Sequence, residues 1–363
     1  MEVAVLGGGH GCYAAAADAA EAGHNVRFWR RNTEALRDIA NNKAITLTDS
    51  DGHRDISLSM VTNDIAAAMD GAELILSPLP ATAQEGLCAA MAPHLKDDQV
   101  VFIPPGTFGS YLMAKQVRDT GNKADVSFGD AGTLPWLVRK QPNGSTRVTT
   151  RTVRLPTGIF PACKSNHGFG VIERLFPEVE RRRDVLDAAL LNYGPIIHPP
   201  LILMNAGPLA HFDTWDIHNE GTQKTIRNVH DALDAERIAI REALGYFTPH
   251  FPLADHYNRD PDGDTMYSVT SHDDLVDSSD WREKIDLFNH RYMTEDIALG
   301  LAFLVSLGDW AGVPCPVADG LLAIAGAAVG RDYRVTGRTM ENIGLADLGR
   351  KDIRTLLDSG LNA

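Results

Sequence analysis

Two short groupings in the second half of the chain hold the residue types of acid–base chemistry. One is His198-Pro199-Pro200, running on through Leu201, Leu203 and Met204 to Asn205; the other is Arg291-Tyr292-Met293-Thr294-Glu295-Asp296. Histidine changes charge near neutral pH and serves as a proton shuttle, and a carboxylate on its second ring nitrogen fixes the tautomer. An arginine beside them can grip a carboxylate with two parallel hydrogen bonds. Read from the residues alone, His198 precedes two prolines and is expected in a rigid, extended entry to a helix, pointing away from it. Asp296 is expected in the first turn of a strongly apolar helix, able to project beside Arg291. Alone, neither grouping distinguishes an active site from an ordinary histidine and a solvated charge cluster.

A third grouping lies at the start of the chain. Gly7-Gly8-Gly9-His10-Gly11-Cys12 follows the apolar run Glu2 to Leu6 and precedes an alanine-rich segment. This is where G-x-G-x-x-G/A belongs in a dinucleotide-binding unit. Gly7 allows the tight turn and Gly9 lets the backbone approach a pyrophosphate. The helix start at His10 and Gly11 offers N–H groups and a positive dipole end. Cys12 takes the third glycine position and is small enough for helix and strand to pack. The second strand ends in Trp29-Arg30-Arg31-Asn32 rather than in the carboxylate that binds an NAD ribose. Guanidinium groups at Arg30 and Arg31 suit a 2′-phosphate, so NADP(H) is the expected cofactor and NAD(H) the alternative. The bland reading is that both arginines face solvent.

The elements that must position these groups follow from the alternation of the sequence. Strands are expected at Glu2–Leu6, Asn25–Trp29, Glu73–Leu76, Gln99–Ile103 and Ala124–Phe128. Helices are expected at 13–22, 32–41 (with Asn32 as N-cap), 81–92 and 110–118, and an antiparallel piece near 147–155. Beyond about residue 171 the pattern becomes helical: 181–191, 200–204, 225–244, 294–311 and 316–329. The expected fold is α/β, an N-terminal Rossmann doubly wound parallel sheet plus a C-terminal all-α domain. The boundary is expected near 180, giving an NADP-binding domain 1–180 and a helical substrate and catalytic domain 181–363, with substrate in the cleft between them.

Composition narrows the class. The 363 residues suffice for two domains, and 44% hydrophobic with 23% charged residues is ordinary globular usage. A formal net charge of −14 disfavours nucleic acid as a partner. The Met-Glu-Val-Ala-Val start has no basic leader, and no apolar run is long enough to span a bilayer, so no membrane partner and a cytoplasmic location are expected. Cys12, Cys88, Cys163 and Cys315 are too scattered for a metal or redox motif and read as fillers. Asn258, Asp260, Asp262 and Gly263 begin like a calcium loop, but Val269 stands where the bidentate Glu must be, so no metal site is expected. The apolar helices from Thr294 to Val329 either bury within the monomer or form a homodimer.

Together the groupings resemble the opine dehydrogenases, the octopine and nopaline dehydrogenase group. The resemblance runs over nearly the whole chain: the opening Val5-Leu6-Gly7, His198-Pro199 with Leu203 and Asn205, Asp234-Ala235-Glu236-Arg237-Ile238-Ala239, Arg291-Tyr292 with Glu295-Asp296, Val313-Pro314, and Gly337-Arg338-Thr339. It implies a reversible reductive condensation. A 2-oxo acid and an amine or amino acid form an imine, which NAD(P)H reduces to a secondary amine. By this resemblance His198 is the catalytic histidine, Asp296 its paired carboxylate and Arg291 the holder of a substrate carboxylate, with Asn205 orienting substrate or capping backbone. Gly194 stands where a relative carries asparagine, and the Asp-rich stretch 254–285 is read as lining the pocket for the second substrate and favouring a basic amine.

Two other readings compete. A plain NADP-dependent 2-oxo acid or hydroxy acid dehydrogenase would oxidise NADPH without an amine. Such enzymes usually employ a lysine in the helical domain, and Lys224, Lys284 and Lys351 lie in no such motif. A non-catalytic NADPH sensor would need no histidine and aspartate pair.

Overall fold

The computed structural model describes residues 1–361. Two compact units emerge, one from Met1 to Ala189 joined by the C-terminal residues from Thr355 on, the other Leu190–Arg354. The division thus falls about ten residues beyond the expected boundary near 180, and the C-terminus rejoins the first unit. The reason for the later boundary is local: residues expected to begin a helix at 181 finish a strand of the sheet instead.

In the first unit the sheet has eight strands: β1 (Glu2–Leu6), β2 (Asn25–Trp29), β3 (Met60–Thr62), β4 (Leu74–Leu76), β5 (Val100–Ile103), β6 (Ser127–Ala131), β7 (Leu155–Phe160) and β8 (Val179–Arg181). Their order is β8-β7-β6-β5-β4-β1-β2-β3. All neighbours run parallel except β7 against β6. The sequence reverses direction across the sheet between β1 and β4, the switch point where α/β sheets place their ligands. Strands β1, β4 and β5 are continuous apolar runs because both their faces are covered; Val3, Val5, Leu74, Leu76, Val100 and Phe102 are fully buried.

Helix α1 (His10–Glu21) packs an alanine face onto this sheet, with Ala14 to Ala17 fully buried. A second, four-stranded sheet covers its other side, built from Ala44–Asp49, Gly52–Ser57, Trp136–Lys140 and Ser145–Arg151. The antiparallel piece expected near 147–155 is its Ser145–Arg151 strand, paired with Trp136–Lys140. A charged chain ties helix to sheet: Arg151 bridges Asp18 and Asp49 at 2.7 and 2.8 Å, and Arg54 joins Asp49 to Glu21.

Some expected bounds move for identifiable reasons. The sixth strand begins at Ser127 rather than Ala124, because Asn122 and Asp97 accept the Ala124 and Asp125 N–H groups in a turn. The helix expected at 32–41 is a short 3₁₀ turn, Glu34–Leu36, followed by Arg37–Ala40; Asn32 does accept the Ala35 N–H, at 3.2 Å. The helix expected at 181–191 shrinks to Val185–Ala189, where Asp184 accepts the Leu186 and Asp187 N–H groups.

The second unit is helical: α2 (Gly194–Met204), α3 (Lys224–Ala243), α4 (Leu253–Asn258), α5 (Ser271–Ser278), a π-helical segment Tyr292–Leu301, α6 (Ala302–Ala311) and α7 (Pro316–Val329). The apolar side chains of the π-helical segment and α6 bury within this unit, including Met293, Ile297, Leu301 and Leu307 at 0% exposure. No helix among the described residues is long and apolar enough to cross a membrane.

Candidate active site

His198 lies inside a helix, not in an extended entry to one. Helix α2 runs through Pro199 and Pro200. Each proline removes a backbone bond from the turn before it, and burial of Ile196, Pro199, Pro200, Leu201 and Ile202 outweighs that loss. The ring of His230 on α3 reaches the Ile197 carbonyl at 2.9 Å, satisfying backbone beside the proline interruption.

Two helical segments pack closely to form the site. Gly194 and His198 are four residues apart on α2, hence on one face. Against that face lies the π-helical segment carrying Asp296 and Gly300. Side chains would keep the backbones apart, so glycines stand at the contacts: a Cβ on Gly194 would sit on Asp296 Oδ1, and one on Gly300 would collide with Pro195. π-Helical geometry is rare and is found frequently at functional sites.

The result is a pair: His198 Nδ1 lies 2.9 Å from Asp296 Oδ2, with the side chains 14% and 5% exposed. The Tyr292 ring stacks on the His198 ring at 3.7 Å between centroids and 9° between planes. Tyr292 is itself held by its hydroxyl, 2.8 Å from His218 Nε2. His290 packs edge-on to the same tyrosine at 4.4 Å. The imidazole thus faces a carboxylate through one nitrogen and is covered on one face. Burial pushes the Asp296 carboxyl up to about 7, with Arg291 and His290 opposing. Burial likewise pushes the His198 imidazolium well down, helped by Arg291. Each charge alone is disfavoured by burial, and the pair has one dissociable proton near neutrality.

Arg291 stands at the edge of this pair. Its Nε lies 3.5 Å from Glu295 and its side chain is 53% exposed, which leaves donors available to a ligand. Burial lowers its basicity, but Glu295 and Asp296 outweigh that and hold the guanidinium charged. Asn205 is differently placed. Its amide donates to the Leu201 and Gly221 carbonyls at 2.9 and 3.1 Å and accepts from Trp215 Nε1 at 3.1 Å. Both its N–H donors are spent on packing. The sequence motif gives Tyr292 no role and His218 carries no local signal; both belong to the imidazole's surroundings.

In the first unit the glycine loop fits a dinucleotide. Gly7 sits at φ +133°, where a Cβ would also meet Cys12 Sγ and Leu79 at 2.7 Å. A Cβ on Gly9 would meet nothing within 4 Å, and Gly9 starts α1 with no side-chain cap, leaving space and a positive helix end for a pyrophosphate. Cys12 is buried against the Leu6 and Pro78 carbonyls, and burial pushes its thiol up to about 12. His10 Nδ1 accepts the Lys140 N–H at 2.7 Å. Arg30 lies over Gly8 and donates to the Tyr13 hydroxyl and the Ala35 carbonyl at 3.3 and 3.2 Å. Arg31 donates to the Gly86 carbonyl at 3.0 Å. Arg30 is thus the one of the two that adjoins the loop.

Gly194→Ala tests the close approach. The added methyl must displace the Asp296 carboxylate, so kcat should fall at least tenfold while the folded unit persists. Unchanged kcat, with circular dichroism as wild type, would show that the approach is irrelevant to activity.

Comparison with known proteins places the arrangement. Residues 181–329 match the family described as NAD/NADP octopine/nopaline dehydrogenase, alpha-helical domain, and residues 2–109 match the NAD-dependent glycerol-3-phosphate dehydrogenase N-terminus. The chain is 26% identical over 357 residues to an opine dehydrogenase from Arthrobacter sp. (strain 1C), covering 98% of each. An octopine dehydrogenase structure in complex with NADH and agmatine superposes with TM-score 0.69 at 20% identity, over 99% of this chain and 98% of the other. A yersinopine dehydrogenase structure with NADP+ bound gives 0.65 at 16% identity, over 99% and 98%. With its Rossmann sheet, its helical unit and these likenesses, the chain is an NAD(P)-dependent dehydrogenase of the opine dehydrogenase type, its helical unit belonging to the octopine/nopaline dehydrogenase domain family.

Proposed function

We propose that the enzyme acts on CH–NH bonds by reductive condensation, joining a 2-oxo acid to an amine or amino acid and reducing the imine to a secondary amine. The observation that carries this reading is the 2.9 Å pair of His198 Nδ1 and Asp296 Oδ2 beneath the stacked Tyr292 ring. With Nδ1 facing the carboxylate at 2.9 Å, Nε2 is the nitrogen left for substrate. It donates to the oxo oxygen, polarising the carbonyl for attack by the amine, and helps move the proton that leaves with water. Asp296 stabilises the imidazolium while that proton is held. Arg291 binds the carboxylate of the oxo acid bidentately and orients its carbonyl toward Nε2. A bound nicotinamide supplies the hydride. Asn205 holds the end of α2 and takes no part in chemistry.

The test is the rate of NAD(P)H oxidation by a 2-oxo acid with and without a panel of amines. Amine-dependent oxidation supports condensation; a rate indifferent to amine would move the enzyme to the plain 2-oxo acid reductases, and binding without turnover to the sensors.

For the cofactor we propose NADP(H) over NAD(H). Arg30, set over the glycine loop, is the group suited to a 2′-phosphate, with Arg31 and Asn32 at the same strand end. Arg30→Ala should raise KM for NADPH about tenfold or more and leave that for NADH nearly unchanged, as expected for one lost charge-assisted contact. Equal changes for both cofactors would assign Arg30 to the scaffold.

A further inference from the structure

Beside the His198 helix, the second unit holds a group of polar and aromatic side chains that the proposed chemistry does not use. His230 on α3 is hydrogen-bonded to the carbonyl of Ile197, the residue next to His198. Arg227 lies one turn earlier on α3, about 4.5 Å along the axis. Its guanidinium carbon stands 4.5 Å from the centroid of the Tyr257 ring on α4. Tyr257 also faces His230 and, at 4.9 Å, His272 on α5. His256 packs near Tyr193, Tyr257 and His272. Three helices and the residue before α2 thus turn an arginine, three histidines and two tyrosines toward one another.

This group is short of partners. Buried and without a hydrogen-bond partner are Arg227 Nε, His230 Nδ1, His256 Nδ1 and the Tyr193 hydroxyl. Such atoms cost free energy unless a ligand satisfies them. No carboxylate among the described residues comes within ion-pair distance of Arg227; Asp231, one helical turn on, does not pair with it, and Asp234 is spent on Arg237 and the Leu253 N–H. Arg227, His256, Tyr257 and His272 nonetheless keep part of their surface open. Burial pushes His230 and His256 down to about 4 and lowers His272, so at neutral pH the histidines are uncharged donors and acceptors around a single cation. Several aspartates of 254–285 are engaged locally. Asp255 accepts the Asp264 N–H, Asp260 the Asp262 N–H, Asp274 the Thr270 hydroxyl, and Asp273 pairs with Arg259.

Building on the condensation reading, we propose that this group is the side-chain site for the amine partner and that Arg227 selects a partner with a carboxylate side chain, an acidic amino acid. The planar guanidinium supplies paired donors to the carboxylate, the Tyr193 hydroxyl and His256 Nδ1 supply the rest, and the Tyr257 face flanks the methylenes. The His230 contact is to the carbonyl of Ile197, the residue before His198, so the site borders the helix that carries the imidazole.

The test is steady-state NADPH oxidation at fixed 2-oxo acid with glutamate, its uncharged isostere glutamine, and arginine, for wild type, Arg227→Met and Arg227→Lys. The expected wild-type order in kcat/KM is glutamate above glutamine by at least tenfold, with arginine lowest. Arg227→Met should bring glutamate down to the level of glutamine, chiefly through KM, and Arg227→Lys should keep part of the preference. Glutamine or arginine outrunning glutamate in the wild type would overturn the proposal while leaving condensation intact. So would an equal loss for glutamate and glutamine in Arg227→Met, which would assign the arginine to the α-carboxylate or to the scaffold. No acceleration by any amine would remove the condensation reading and this proposal together.

Discussion

His198→Ala should lower kcat/KM for amine-dependent NADPH oxidation by 10²–10⁴, the usual worth of a positioned acid–base group. The imidazole faces Asp296 through Nδ1 and is covered on one face by Tyr292, so its free nitrogen is the group placed for proton transfer. A separate readout guards against a trivial loss of fold: NAD(P)H binding, proposed for the glycine loop of the first unit, should persist in the variant. Activity within a few-fold of wild type would remove His198 from the chemistry and leave the pair as a structural feature of α2.

Asp296→Asn should be nearly as severe in the reductive direction and should also change the pH profile. Burial raises the Asp296 carboxyl to about 7 and lowers the imidazolium, so the pair loses one proton near neutrality. The two-proton form, carrying a proton on Nε2 and the carboxylate on Nδ1, is the one that can donate to substrate. Reductive kcat/KM should therefore be high below about pH 7 and fall as pH rises through it, while the oxidative direction rises over the same range because it needs the one-proton form as base. Asparagine cannot stabilise an imidazolium. The variant should lose kcat by about 10²–10³ and its reductive limb should move to lower pH. A profile that stays in place, at any activity, would show that the limb belongs to another group.

What the sequence made legible was the chemistry more than the shape of its support. His198, Asp296 and Arg291 stand out by residue type, and two helical segments do bring them together. The prolines misled: a local rule removes His198 from the helix, whereas burial of the apolar face of α2 keeps the helix running through Pro199 and Pro200. The π-helical turn at Tyr292–Leu301 has no sequence period distinct from an α-helix over so short a span, so the exact direction of Asp296 was out of reach. Gly194 looked like a departure from the family pattern, and the structure explains it as the space the Asp296 carboxylate occupies. The parallel strands were readable because both faces are buried and the residues are continuously apolar. The hairpin Ala44–Asp49 with Gly52–Ser57 has a turn signal at Asp51-Gly52 and buried Ile45 and Leu47 in its first strand, but its second strand is polar and largely exposed and gives little strand pattern. Asn205 carries two readings from its motif, orienting substrate or capping backbone, and its hydrogen bonds to the Leu201 and Gly221 carbonyls and Trp215 correspond to the second. The cluster around Arg227 is a matter of tertiary proximity between helices far apart in sequence, which no local pattern reports.

The central claim is that the reduced bond is carbon–nitrogen. The most direct measurement supplies a 2-oxo acid, a nitrogen-15-labelled amino acid and NADPH deuterated at the transferable position, and identifies the product by mass spectrometry. The account predicts a secondary amine that carries the labelled nitrogen and one deuterium on the carbon derived from the oxo group. A deuterated 2-hydroxy acid, with the labelled amino acid recovered unchanged, would contradict it.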